Sequence, residues 1–320
     1  MLSRVADSLY WMSRYLERSE HTARVIDLNL HQMLDQSPES AGYRWERVLA
    51  SLRTALPDEH TADAYTVTRA LTFDATNSSS IVSCITAARD NARQVREQIS
   101  TEMWEQLNRL YLSVKSLHMD DIWSIEPHEF FQRIKEGAHL FQGVTDTTMS
   151  HDQGWQFIQA GRYIERASTI ATLLEVHLLE PTETLYNNAT ALDYLGWVGL
   201  LKSCTAFEAY CKVYTADVQP DRILEFLLLN DEFPHSVRFS SDALRSALRA
   251  ITETTGGRPG GKAERLTGRL CATLDYGQVD EIVAEGLGAY LSDVRHQCNQ
   301  IHNAIYQTYV TYPIDTAITQ

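Results

Sequence analysis

A segment near the N-terminus recurs in the middle of the chain, and this repeat constrains the fold more than any other feature. YWMSRYLERSEHTARVID begins at Tyr10, and QFIQAGRYIERASTIATLLE begins at Gln156. Arg14 aligns with Arg162, Tyr15 with Tyr163, Glu17 with Glu165 and Arg18 with Arg166, all at an offset of 148. In the first copy Val5, Leu9, Met12, Leu16, Ser19, Ala23, Ile26, Leu30 and Met33 are spaced by alternating fours and threes. Phe157, Ala160, Ile164, Ala167, Ala171, Leu174 and Leu178 continue the same phase in the second. That spacing is the seam of a helix packed lengthwise against other helices, and it predicts the first helix over 5–33. A repeat of this length predicts two related halves, 1–149 and 150–320.

The intervening sequence follows one order in both halves. Helices are expected over 43–56, stopped by Pro57, over 81–99, from Ser100 to 117, and over 129–144 behind Pro127. SPESAG (37–42) and TDTTMSHDQG (145–154) read as connections. Ser80, at the end of NSSS, is placed to cap the helix that follows it. In the second half Trp197 corresponds to Trp45 and Ser236 to Ser80. Leu291, Val294, Cys298 and Ile301 correspond to Phe131, Ile134, Ala138 and Phe141 at an offset of 160. The slow growth of the offset reads as loop insertion, most clearly at the Gly-rich TTGGRPGGK (254–262). No segment alternates as a strand would. The expected fold is all-α, one helical bundle of two pseudo-symmetric duplicated halves.

Charge and hydropathy exclude several classes of function. With 28 Lys and Arg against 42 Asp and Glu the net charge is −14, so a nucleic-acid backbone or an anionic membrane is disfavoured as a partner. No apolar run is long enough to span a bilayer and the N-terminus carries no signal-peptide core, which together predict a cytoplasmic protein. The five cysteines are scattered and never in CxxC spacing, as expected of reduced core thiols.

Arg14, Glu17, Arg18, His21 and Arg24 lie on the face of the first helix opposite its seam, with Tyr10, Trp11 and Tyr15 alongside. Three readings are open. The face is solvated and laced with helical ion pairs. Alternatively it is interior, with Glu17 paired to Arg162 or Arg166 and Glu165 to Arg14 or Arg18 in a network that fixes the two halves in register. Or the surplus of four arginines over two glutamates binds a carboxylate or phosphate, for which guanidinium forks are suited, with Tyr15 and Tyr163 beside them. Glu17 and Glu165 are the carboxylates that catalysis would use. A carboxylate hemmed by arginines has a lowered pKa, which suits electrostatic fixing better than proton transfer.

Other chemistry is weaker. Glu136 and His139 have the Glu-x-x-His spacing of di-iron bundles, but Asp293 and His296 do not align with them, so no metal and no cofactor are expected. Cys204, Glu208, Cys211 and Lys212 surround an apolar seam. There a packed thiol is the expectation, and Tyr210 and Tyr214 are expected to pack; the alternative has Glu208 and Lys212 extending a central polar site.

MLSRVADSLYWMSRYLERSEHTARVID, SSSIVSCITAARDNARQVREQISTEMWEQLNRLYL, HLFQGVTDTTM, GRYIERA, LLKSCTAFEAYCKVY and FPHSVRF, in that order, resemble the Alpha-E domain family, a bacterial helical family. The resemblance covers nearly the whole chain. It departs where Ile170 and Thr172 stand at the positions of Thr22 and Arg24 in the first repeat. Because family members accompany a circularly permuted ATP-grasp protein and a transglutaminase-like protein, the resemblance implies an accessory or binding role in a system that makes peptide or amide bonds. The alternative is an enzyme acting on a peptide or amino-acid substrate through a central Arg/Glu pocket.

Overall fold

The computed structural model describes residues 1–33, 38–57, 61–124, 126–178, 191–215, 217–255 and 260–310. The described residues contain α-helices and short π-helical turns and no strand. In chain order the helices are α1 (Ser3–Gln32), α2 (Pro38–Ser51), α3 (Ala64–Thr72), α4 (Ile81–Gln94), α5 (Thr101–Lys115), α6 (Met119–Trp123) and α7 (Pro127–Thr148). They continue with α8 (Gln153–Leu178), α9 (Ala191–Ser203), α10 (Phe207–Tyr214), α11 (Pro220–Leu224), α12 (Val237–Thr255), α13 (Lys262–Asp275) and α14 (Val279–Ile305). No helix among the described residues is long and apolar enough to cross a membrane.

The two copies of the repeated segment, α1 and α8, pack on each other at the centre of an all-α bundle. α1 is flanked by α4 and α7, and α8 by α12 and α14, while α5 bridges α4 and α7 as α13 bridges α12 and α14. α2 leans on α8, and α9 on α1. The seam from Leu9 to Ile26 is buried, as is the α8 seam from Phe157 to Leu178, each side chain of leucine size contributing about 1.5–3 kcal/mol. Where α1 crosses α8, Ser13 Oγ donates to the Ile158 carbonyl at 2.7 Å. A Cβ on Gly161 would lie 2.3 Å from the Tyr10 carbonyl oxygen, so only glycine permits this approach.

Serine hydroxyls start the flanking helices as expected. Ser80 Oγ accepts from the Ser83 amide at 3.3 Å, and its counterpart Ser236 Oγ accepts from the Phe239 amide at 3.0 Å. Ser236 is fully buried, and its hydroxyl also donates to the Asn230 carbonyl. Ser236→Ala is expected to lower stability by about 1–2 kcal/mol, measured by urea denaturation, because it removes the partner of the Phe239 amide and of the Asn230 carbonyl at once.

Several helix ends differ from the sequence expectation. Residues 38–42 are helical rather than a turn, since Pro38 lacks only an amide that the first helical turn leaves unpaired. α2 ends at Ser51, short of Pro57: Thr54 N donates to Leu49 O and Arg53 N to Ala50 O, a Schellman closure with Arg53 in the left-handed region at φ 51°. α4 stops at Gln94, where the Val95 amide turns back to Ala92 O and starts a turn that carries buried Ile99 into the core. α7 runs on to Thr148, which shortens the connection to α8. Thr254 and Thr255 belong to α12 and Lys262 to α13, while residues 256–259 of the Gly-rich stretch lie outside the described residues. Gly286 bends α14 at φ 116°, a conformation that only glycine takes readily.

Candidate functional site

The charged face of α1 is interior, which overturns the solvated reading. Because α1 is flanked on several sides, the face away from its seam meets α8 instead of water. Glu17 and Glu165 are 3% and 4% exposed. Arg166 grips Glu17 with two donors, Nε to Oε1 at 2.5 Å and Nη2 to Oε2 at 3.0 Å. In the reciprocal pairing Arg14 Nε donates to Glu165 Oε2 at 2.7 Å, and Arg18 Nε to Glu165 Oε1 at 2.6 Å. Burial alone would push the Glu165 carboxyl up, but Arg14 and Arg18 hold it down at about 2. Burying a charge is costly unless it is paired and hydrogen-bonded, and Glu17, Glu165 and Arg166 are all so paired.

Aromatic rings and two further polar side chains close the clasp. The Arg18 guanidinium stands 5.8 Å from the Tyr15 ring, and that of Arg166 5.5 Å from Tyr163, the same contact in each copy. Arg14 lies 4.6 Å over Trp11, and its Nη1 donates to His302 Nδ1 at 3.0 Å. Arginine never accepts, so His302 Nδ1 is the acceptor there and also for the Tyr10 hydroxyl at 2.9 Å. Burial and then the Arg14 charge bring the His302 pKa down to about 4, in keeping with a neutral ring. Gln142 Nε2 donates to Glu17 Oε2 at 3.3 Å. Sequence reasoning misses Gln142 and His302, yet they align at the offset of 160 that already pairs Phe141 with Ile301. Glu17 therefore chooses Arg166 and not Arg162. The buried Arg162 makes no ion pair or side-chain hydrogen bond among the described residues.

The surroundings of the two pairings differ. Beyond Glu17, the buried Glu20 pairs with Arg24 and lies 3.4 Å from His139 Nε2, and His235 is held well below its usual pKa by burial and by Arg166. The residues aligned with these four are Ser168, Thr172, Asn299 and Ser79, and all four line a cleft of about 240 Å³ beside Glu165. Arg14, Arg18, His21, Ser51 and Arg53 complete its polar wall. Of the residues expected to hold a ligand, Arg14 and Arg18 reach this cleft, whereas Arg162, Arg166, Tyr15 and Tyr163 do not line it.

The remaining sequence candidates do not join the site. Glu136 bonds Gln132, His139 faces Glu20, Asp293 bonds Gln297 and His296 bonds Gln300. Glu208 and Lys212 are exposed and do not extend the central cluster. Tyr210 packs against Tyr214 with ring centroids 5.0 Å apart. Cys84, Cys204, Cys271 and Cys298 are buried thiols pushed up to about 12 by burial, unsuited to nucleophilic attack. Asp27, His31 and His128 bring ligand atoms within 4.8 Å of one another. Lys135 Nζ already lies 2.6 Å from Asp27 Oδ2, and His128 Nδ1 2.8 Å from Oδ1, so this carboxylate is satisfied by the protein itself.

Comparison with known proteins places this geometry in context. Uncharacterized proteins of Mycobacterium bovis and of a strain of Mycobacterium tuberculosis are each 24% identical over 313 residues, covering 91% of this chain and 34% of theirs. A protein of a second M. tuberculosis strain is 23% identical over the same span. The chain thus spans about a third of the length of these curated relatives. No solved structure matches it. Residues 1–310 match the Alpha-E family, described as "a predicted alpha-helical domain with a conserved ER motif". Glu-Arg steps occur here at Glu17–Arg18 and Glu165–Arg166 in the clasp, and also at Glu46–Arg47 and Glu264–Arg265. With the match running over nearly its whole length, the chain belongs to the Alpha-E family.

Proposed function

We propose that the protein is a non-catalytic binding component of a system that makes peptide or amide bonds, working in the cytoplasm beside a circularly permuted ATP-grasp protein and a transglutaminase-like protein. The observation that carries the non-catalytic part is the state of Glu165: ionised, buried, and with both oxygens taken by arginines. A general acid or base needs a pKa near the working pH, and this carboxylate, held at about 2 by its two arginines, lacks it. The partners are those that the family resemblance implies. Relatives about three times as long are consistent with a unit that acts in company with other domains. In this reading the partner-facing surface comprises the helix ends and the stretch from Asp146 to Asp152, which spans the last turn of α7 and the short connection into α8; Trp155 Nε1 of α8 donates to Asp146 Oδ1 there at 3.2 Å.

The two halves are read as products of one duplication. Supporting this are the reciprocal Arg–Glu pairs, the matched caps at Ser80 and Ser236, and the parallel packing order around α1 and α8. Mass spectrometry of proteins that co-purify with the tagged full-length chain at native expression tests the role. Recovery of the ligase-like and transglutaminase-like proteins is expected, and recovery of neither would sink the proposed partnership. The competing enzyme reading, with Glu17 or Glu165 as acid or base and the four arginines holding an anion, makes a different prediction. It requires Glu165→Gln to abolish the turnover of the reconstituted system while leaving assembly intact.

A further inference from the structure

On one side of the clasp, the Glu20–Arg24 pair of α1, His139 of α7 and His235 occupy the space. On the other, their aligned counterparts are small and leave a cleft. We propose that this cleft is a one-sided binding site for a small carboxylate of amino-acid size, held by Arg18 and Arg53. The inference gives the binding component described above a ligand and takes its biological meaning from that reading. Its test needs neither partner protein.

Charge is the first support. The cleft is lined by Arg14, Arg18 and Arg53 against a single carboxylate, Glu165, in a protein of net charge −14. Glu165 takes the Nε donors of Arg14 and Arg18, whereas Arg18 Nη1 reaches only Ser79 Oγ, at 3.4 Å. Arg53 makes no ion pair or side-chain hydrogen bond among the described residues. Guanidinium donors are thus left over among the lining side chains, and a planar guanidinium fits a carboxylate. Glu165 on the same wall disfavours a dianion.

Unmet polar groups are the second. His21 Nε2 and Ser51 Oγ are buried without a hydrogen-bond partner, and both residues line the cleft. His21 is 6% exposed and Ser51 3%, so bulk water does not satisfy them.

Backbone and size complete the case. Arg53 occupies the left-handed position that ends α2, at φ 51°, where glycine is favoured. An exposed cationic side chain held at that backbone cost lines the cleft, which places a guanidinium there. The volume of about 240 Å³ corresponds to roughly eight waters at about 30 Å³ each. That space admits an amino acid and excludes a nucleotide.

Calorimetric titration of the full chain with the standard amino acids, diglycine, acetate and inorganic phosphate provides the test. At least one carboxylate is expected to bind with a Kd below about 1 mM, and phosphate more weakly. Arg53→Gly is expected to weaken binding by about tenfold or more while leaving the melting temperature unchanged or raised, because glycine accepts a positive φ. Ser168→Glu with Thr172→Arg rebuilds in α8 the Glu20–Arg24 pair of α1, and is expected to fill the cleft and abolish binding with helicity retained. Absence of saturable binding by every carboxylate overturns the proposal, as does binding that both variants leave unchanged. Phosphate binding tighter than every carboxylate overturns the carboxylate assignment. Carboxylate binding without recoverable partner proteins leaves the cleft standing and removes only the role proposed above.

Discussion

Glu165→Ala is expected to cost about 3–5 kcal/mol of stability, because it leaves Arg14 and Arg18 side by side in the interior without a counter-ion. Both guanidinium groups point an Nε at the same carboxylate, so one deletion removes the counter-ion of two partly buried cations. Glu165→Gln keeps the shape and one acceptor oxygen and is expected to cost less. The pH dependence gives an independent readout. The folded-state pKa of Glu165, about 2, lies below its ordinary value of 4.5. Its stabilisation is therefore complete above about pH 4.5 and is lost as the pH falls towards 2. A shift of that size corresponds to about 3 kcal/mol at about 1.4 kcal/mol per pH unit. Urea unfolding of wild type and Glu165→Gln at stepped pH should show curves that converge between about pH 4.5 and 2. Parallel curves across that window would mean that the clasp contributes register and not stability.

The sequence reveals this clasp because its signal is arithmetic. Arg14, Glu17 and Arg18 recur at one offset, and a helix that must bury its seam against a related partner brings the two copies face to face. Caps at Ser80 and Ser236 are readable for a local reason, one hydroxyl satisfying one free amide. What is not readable depends on neighbours. The face opposite the seam looks solvated until α8 is set against it, so burial of Glu17 follows from packing order and not from periodicity. Proline is a visible breaker and draws the expected end of α2 to Pro57, while the actual stop is a left-handed arginine that no propensity favours. Sequence alignment also marks Thr172 as a departure from Arg24, but it cannot convert that loss into space. Only the structure shows Ser168, Thr172, Asn299 and Ser79 lining one cavity.

Gly161→Ala is expected to destabilise the protein by about 3 kcal/mol or more, because the added methyl group has nowhere to go. Its Cβ would sit 2.3 Å from the Tyr10 carbonyl oxygen and 3.3 Å from the Ser13 Cβ. The first of these is backbone in the middle of a helix, which cannot swing aside as a flexible side chain does. Relief requires α1 and α8 to separate, and that separation stretches the Ser13 Oγ–Ile158 O bond of 2.7 Å at the same crossing. It also loosens both Arg–Glu pairings, which span the same two helices. Overpacking in a rigid core ordinarily costs about 1–3 kcal/mol, and the coupling to a buried ion-pair network carries this case to the top of that range or beyond. Gly143→Ala, where a Cβ meets nothing within 4 Å, is the matched control and is expected to be neutral or slightly stabilising. Melting temperatures of the two variants decide the matter. If they fall together, the close approach of α1 and α8 is not what holds the bundle. If only Gly161→Ala falls and its acid unfolding begins at higher pH than wild type, then helix spacing and the ionisation of Glu165 are linked through one contact.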